Sequence, residues 1–237
     1  MLKRFVVACL IVGFSALAQV AQAKDLADKR ESWTGFYVGL SAGDGLSDFR
    51  VLDGPANTNC WWCVNNYGDN ADSIFAGGQL GYNYQMNNLI LGIEGEVAGS
   101  VLGGNASDPT HTGPQGSVDG KLYGAITGRI GYAVGSVLLY GKAGYGAMDT
   151  DINWVDPVYS AYAHQNETLS GAVFGGGIEY AISSVVSVKA EYMRLDFGGT
   201  TVLDVKGYPG GYQQGIDIEP IDTFKVGVDF RLNSLRH

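Results

Sequence analysis

Apolar residues alternate with small or polar ones along residues 73–97, SIFAGGQLGYNYQ, then MNN, then LILGIEGEV. In the first arm Ile74, Ala76, Leu80, Tyr82 and Tyr84 share one face, while Ser73, Gly77, Gln79, Asn83 and Gln85 share the other. In the second arm Leu89, Leu91, Ile93 and Val97 oppose Glu94 and Glu96. A period of two on both sides of a short break is the signature of an antiparallel hairpin whose strands have unlike faces. The pattern recurs. Residues 33–42 place Thr34, Phe36, Val38, Leu40 and Ala42 on one face and Gly35, Tyr37, Gly39 and Ser41 on the other. Residues 121–133 and 137–148 form a second hairpin around Val134-Gly135-Ser136, with Lys121, Thr127, Arg129 and Lys142 on the polar face. A third hairpin, 168–182 and 186–197, turns at Ser183-Ser184-Val185 and carries Glu179, Lys189 and Glu191 on that face. The last strand, 222–232, alternates Phe224, Val226, Val228, Phe230 and Leu232 with Lys225, Gly227, Asp229 and Arg231.

Between these units the pattern dissolves into Gly, Asp, Asn and Pro over 43–72, 102–120, 149–167 and 198–220, which predicts loops. Eight strands joined by four long connections and three short ones show the loop asymmetry of outer-membrane barrels. The expected fold is therefore all-β: an eight-stranded antiparallel up-and-down transmembrane β-barrel over 33–232, with four long outer loops and three short periplasmic turns. An open sheet would leave unsatisfied backbone groups in lipid, so the eighth strand must close on the first. The apolar faces then meet lipid. Tyr82, Tyr84, Tyr132 and Tyr180, near the short turns, form an interfacial girdle, and Arg194 and Asp196 interrupt the apolar face at the outer rim.

Composition agrees: 36 Gly and 14 Tyr among 237 residues, with only 16% charged, are unusual for a cytosolic domain. Lys3 and Arg4, an apolar run over 5–18 and Ala21-Gln22-Ala23 read as a signal peptide over 1–23, cleaved between Ala23 and Lys24. Residues 24–32 follow as a polar periplasmic lead-in, and 233–237 form a polar tail. Losing Lys3 and Arg4 with the leader takes the net charge from −9 to −11, so no basic tract remains and nucleic acid is not an expected partner.

The same parity turns Glu94, Glu96, Arg129, Lys142, Glu179, Lys189, Glu191, Lys225 and Asp229 into the lumen. An eight-stranded barrel has an interior only wide enough for its own side chains, and unpaired buried ions are costly. These charges are therefore expected to pair into a plug; the alternative is an ion pathway.

Cys60-Trp61-Trp62-Cys63 is the sharpest local motif. It admits a redox pair, half a zinc site or a small disulfide. The scattered His111, His164 and His237 argue against zinc, and an exported chain favours the Cys60–Cys63 disulfide. Gly141-x-x-Gly144-x-Gly146 and Gly175-Gly176-Gly177 lie in strands and precede no helix, so they are not dinucleotide loops. No Ser, His and acidic residue cluster as a hydrolase requires. Neither an enzyme nor a bound cofactor is expected.

Several segments resemble the Omp25/RopB-like group of alphaproteobacterial outer-membrane proteins: WTGFYVGLSAG (33–43), GGQLGYNYQMNNLILGIEGE (77–96), YGKAGYG (140–146), GGGIEYAI (175–182), KAEYMRLDFG (189–198) and 224–232. The resemblance implies an outer-membrane surface antigen of the porin family that contributes to envelope integrity and surface contact. It also implies contact with outer-membrane lipid and lipopolysaccharide, handling by the barrel assembly machinery, and contact with host surface molecules. A small-solute porin is the first alternative. Loop-based adhesion, or binding of a ligand or haem by His111 and His164, is the second.

Overall fold

Two-residue alternation governs the strands of the structure, a computed structural model that describes residues 32–52, 67–107, 115–207 and 212–232. The leader with its Ala23-Lys24 junction, residues 24–31 of the lead-in, Cys60, Cys63, His111 and the tail lie outside the described residues. The strands are β1 (Gly35–Leu52), β2 (Tyr67–Met86), β3 (Leu89–Ser107), β4 (Gln115–Val134), β5 (Val137–Asp156), β6 (Ala161–Ala181), β7 (Val186–Asp196), β8 (Gly199–Val205), β9 (Tyr212–Ile218) and β10 (Ile221–Arg231).

Neighbours pair antiparallel in the order β10-β7-β6-β5-β4-β3-β2-β1, and β10 pairs back on β1 from Tyr37↔Arg231 to Leu46↔Asp222. This is a closed barrel of eight staves, because β8 and β9 prolong two of them. β8 continues β7 beyond Phe197-Gly198, and β9 leads into β10 through Glu219-Pro220. β9 pairs with β8 along its length and with the upper end of β1 from Phe49↔Ile218 to Leu52↔Gly215. One end of the barrel carries the tight turns Asn87-Asn88, Gly135-Ser136 and 182–185. Asn87 and Gly135 sit at φ of 57° and 58°, a left-handed conformation that Asn and Gly adopt most readily.

The staves run further than the apolar alternation suggests. β5 reaches Asp156 and β6 starts at Ala161, so the loop expected over 149–167 contracts to a turn at 157–160. The segments 43–72, 102–120 and 198–220 are likewise partly strand. The alternation does not stop there; it changes sign. Low on β5, Leu139 and Tyr145 point outward and Lys142 is buried. Higher up, Asp149, Asp151 and Asn153 occupy the outward positions, while Met148, Ile152 and Trp154 are buried. The bilayer has given way to water outside, so the apolar set moves in.

The lower wall is lipid-facing, with outward side chains such as Leu40, Ile126 and Val226 exposed by 68%, 66% and 66%. Rings pair along it: Phe36 meets Tyr82 at 4.9 Å and Tyr192 meets Phe224 at 5.1 Å between centroids. One predicted orientation changes. β4 carries an irregularity between Gly120 and Tyr123, so Lys121 points outward and pairs with Asp151 at 2.5 Å instead of sharing the lumen face with Arg129. A bulge adds a residue and resets the parity of the strand beyond it.

Candidate functional site

The lower lumen is the site with the densest chemistry. All nine charged residues assigned to it by parity are buried there. They form one connected network. Glu94 Oε1 accepts from Lys142 Nζ at 2.5 Å, and its Oε2 accepts from Tyr37 OH at 2.7 Å. Lys142 Nζ also donates to Glu191 at 3.0 Å, and Tyr140 OH donates to the same carboxylate at 2.9 Å. Lys225 Nζ donates to Glu96 Oε1 at 2.5 Å and lies 3.5 Å from Glu191. Arg129 pairs with Glu179, whose other oxygen accepts from Ser187 Oγ at 2.5 Å. Lys189 links Glu94 at 3.5 Å to Asp229 at 3.6 Å, and Asp229 also accepts from Gln79 Nε2 at 2.7 Å. Every stave contributes a member: β1 supplies Tyr37, β2 Gln79, β3 Glu94 and Glu96, β4 Arg129, β5 Lys142, β6 Glu179, β7 Lys189 and Glu191, and β10 Lys225 and Asp229.

Glycine makes the space. A methyl group at Gly81 would lie 2.3 Å from the Tyr37 ring, which crosses that position to reach Glu94. At Gly177 it would lie 2.7 Å from Tyr140 OH. The two rings flank Arg129, whose guanidinium carbon is 3.6 Å from the Tyr140 centroid and 5.8 Å from that of Tyr37. Such cation–π contact adds to the ionic pairing of a desolvated guanidinium.

Two further layers of side chains lie in the lumen. At the end with the short turns, Arg231 donates to the carbonyls of Ser32 and Ser183 and stacks on Trp33 at 4.9 Å, beside the buried cluster of Ile90, Ala133, Leu138 and Ala181. Above the ionic layer an apolar core packs Phe75, Tyr123, Met148, Ile152, Leu195 and Leu203, among others. Phe75 and Tyr123 meet edge to face at 6.0 Å at its lower boundary.

Sequence parity alone does not single out Tyr37, Gln79, Tyr140, Ser187 or Arg231. Their signal was present in that parity, since each occupies an inward position, but the neutral Tyr37, Gln79, Tyr140 and Ser187 carry no sign that they join an ionic network, and the inward charge of Arg231 gives no sign that it pairs with carbonyls and the Trp33 ring. On the outside, Arg194 lies 3.2 Å from Asp222, which also accepts from Tyr192 OH at 2.8 Å. His164 is exposed and its Nδ1 lies 2.7 Å from Asn153 Oδ1. Among the described residues no group of three or more His, Cys, Asp or Glu could hold a metal ion. Chemically, the lumen is an arrangement of fixed charges, five carboxylates against four cations, with each carboxylate ion-paired to at least one cation.

The family described as outer membrane protein beta-barrel domain matches residues 6–232. The 31 kDa outer-membrane immunogenic protein of Brucella melitensis biotype 1 is 32% identical over 181 residues, which cover 73% of this chain and 75% of that protein. The 22 kDa outer membrane protein of Rhizobium leguminosarum bv. viciae is 26% identical over 188 residues, covering 77% of this chain and 74% of that one. The crystal structure of Ail, the attachment invasion locus protein of Yersinia pestis, overlaps 84% of this chain and 99% of its own, at a TM-score of 0.39 and 16% identity.

Proposed function

The chain belongs to the outer membrane protein beta-barrel family, within its Omp25-like alphaproteobacterial group, and resides in the outer membrane; from that premise we propose that it is a non-conducting structural barrel that supports envelope integrity and presents its upper storey as a contact surface and antigen. The observation that carries this reading is the lumen, filled successively by the Arg231–Trp33 stopper, the ionic network of nine charged residues with their neutral partners, and the apolar core. Opening a path for ions would separate buried charges that neutralise one another, at a cost of several kcal/mol for each broken pair. The Brucella relative's description as immunogenic supports the surface-antigen part. The upper wall presents Val158, Tyr159 and Tyr162 to solvent at the β5–β6 turn, a position open to outside molecules.

The barrel reconstituted alone into planar lipid bilayers is expected to carry no steady ohmic current. Large, stable currents from the pure protein would overturn the closed-lumen reading in favour of a small-solute porin. Deleting the gene is expected to raise sensitivity to detergent and to large antibiotics, restored by the wild-type copy. A selective loss of nutrient uptake with an intact barrier would instead support a channel.

A further inference from the structure

A seam interrupts the upper wall. β6 and β7 are laddered from Ala181↔Ser187 up to Ala172↔Asp196. Above that point β8 is laddered to β9 and, among the described residues, not to β6. The two meet again at an isolated bridge, where Tyr162 N donates to Lys206 O and Lys206 N donates to Tyr162 O, each at 2.9 Å. Ten residues separate Ala172 from Tyr162 on one bank, and ten separate Asp196 from Lys206 on the other. The banks are therefore in register yet without a ladder between them. Tyr162 turns its amide and carbonyl toward Lys206, so alternation turns those of His164, Asn166, Thr168 and Ser170 the same way. Thr200, Val202 and Asp204 present theirs from the opposite bank. Across the opening, Thr201 Oγ1 donates to Glu167 Oε2 at 2.6 Å. Leu169, Leu203 and Val205 lie buried behind it.

Strand edges with free amides and carbonyls are templates for an added strand. Here the edges face each other in water above the apolar belt, and the surrounding wall is acidic. Asp149 and Asp151 occupy outward positions beside the β6 bank, and Asp196, Asp204 and Asp217 beside the β8 bank. Of the neighbouring bases, Lys121 is engaged with Asp151, Arg50 lies against Glu219 and Asp217, and Lys206 sits at the clasp. We propose that this seam is a strand-addition site for a cationic extended peptide, which displaces the Tyr162–Lys206 clasp and ladders onto the β6 and β8 banks from outside. The proposal depends on where the upper wall stands and not on the lumen being closed, so a conducting barrel would leave it intact.

The test uses the full chain in detergent micelles and three fluorescent octapeptides built from Lys-Thr, Glu-Thr and Lys-Pro repeats. The Lys-Thr peptide is expected to bind, and the other two at least about tenfold more weakly, because one lacks the charge and the other lacks half the amide donors. Asp149→Lys with Asp204→Lys is expected to weaken the Lys-Thr peptide by about tenfold or more. A Glu167→Cys/Thr201→Cys variant, oxidised across the seam, is expected to lose binding and regain it on reduction, with the wild type unchanged by reductant as the control. Recovery on reduction also shows that the variant is folded. Equal binding of the Lys-Thr and Lys-Pro peptides would reduce the effect to charge adsorption and overturn the proposal. So would undiminished binding to the oxidised variant, or no binding to the wild type.

Discussion

The lower and upper halves of the barrel share staves and closure but have opposite interiors. Below, Leu91, Ile126 and Val226 face outward and Glu94, Arg129 and Lys142 fill the lumen; above, Asp149 and Asp151 face outward and Ile152, Trp154 and Leu203 fill it. One rule produces both. The face toward the surroundings takes the polarity of those surroundings, and the enclosed face takes whatever remains. What differs is how each interior is held. Apolar packing is non-directional and tolerates many arrangements, whereas the ionic lumen needs each donor matched to an acceptor, since a buried group without a partner carries the full desolvation cost.

The sharpest way to break that contrast is at Arg129. Arg129→Met leaves Glu179 buried without its cation, and a loss of about 3–5 kcal/mol is expected in urea unfolding from lipid vesicles. The double variant Arg129→Met/Glu179→Met is expected to recover most of it; a double variant as unstable as the single would refute pairing as the source of the effect. In the upper core, Ile152→Ala removes a fully buried side chain and is expected to cost about 2–5 kcal/mol, with no rescue from a second substitution across the lumen. The exteriors are compared next. Ile126→Arg on the lipid face is expected to cost about 2–4 kcal/mol, whereas Asn153→Arg on the upper wall stays within about 0.5 kcal/mol; similar costs at both sites would mean that the two walls meet the same medium. The smallest effect separates the seam from its neighbours. Amide exchange at His164, Asn166 and Thr168 is expected to be faster than at the inward residues of β5 at the same height, which are laddered on both sides.

Much of the lower half is legible in sequence because a strand's parity is local: once Leu91 faces lipid, Glu94 must face the lumen. The lumen set follows from that, as does the outward girdle of Tyr82, Tyr84, Tyr132 and Tyr180. The upper half was hidden by the same logic applied too far. MDTDINW over 148–154 alternates as cleanly as the membrane strands, but with its apolar residues on the opposite phase. A search for lipid-facing residues takes that inversion for a loop. Lys121 was misplaced for a related reason, since a bulge shifts parity without marking the composition.

The sequence by itself determined that strands alternate, that the chain closes into a barrel in a membrane, and that the nine lumen charges turn inward, because these depend only on a two-residue period and on what surrounds the wall; Lys121, beyond the bulge, escaped that rule. The tertiary structure alone decided that Lys142 bridges Glu94 to Glu191, that Arg129 lies between two tyrosine rings, and that β8 pairs with β9 and parts from β6. Those outcomes depend on the stagger between staves and on side-chain reach across the lumen, distances set jointly by residues far apart in the chain.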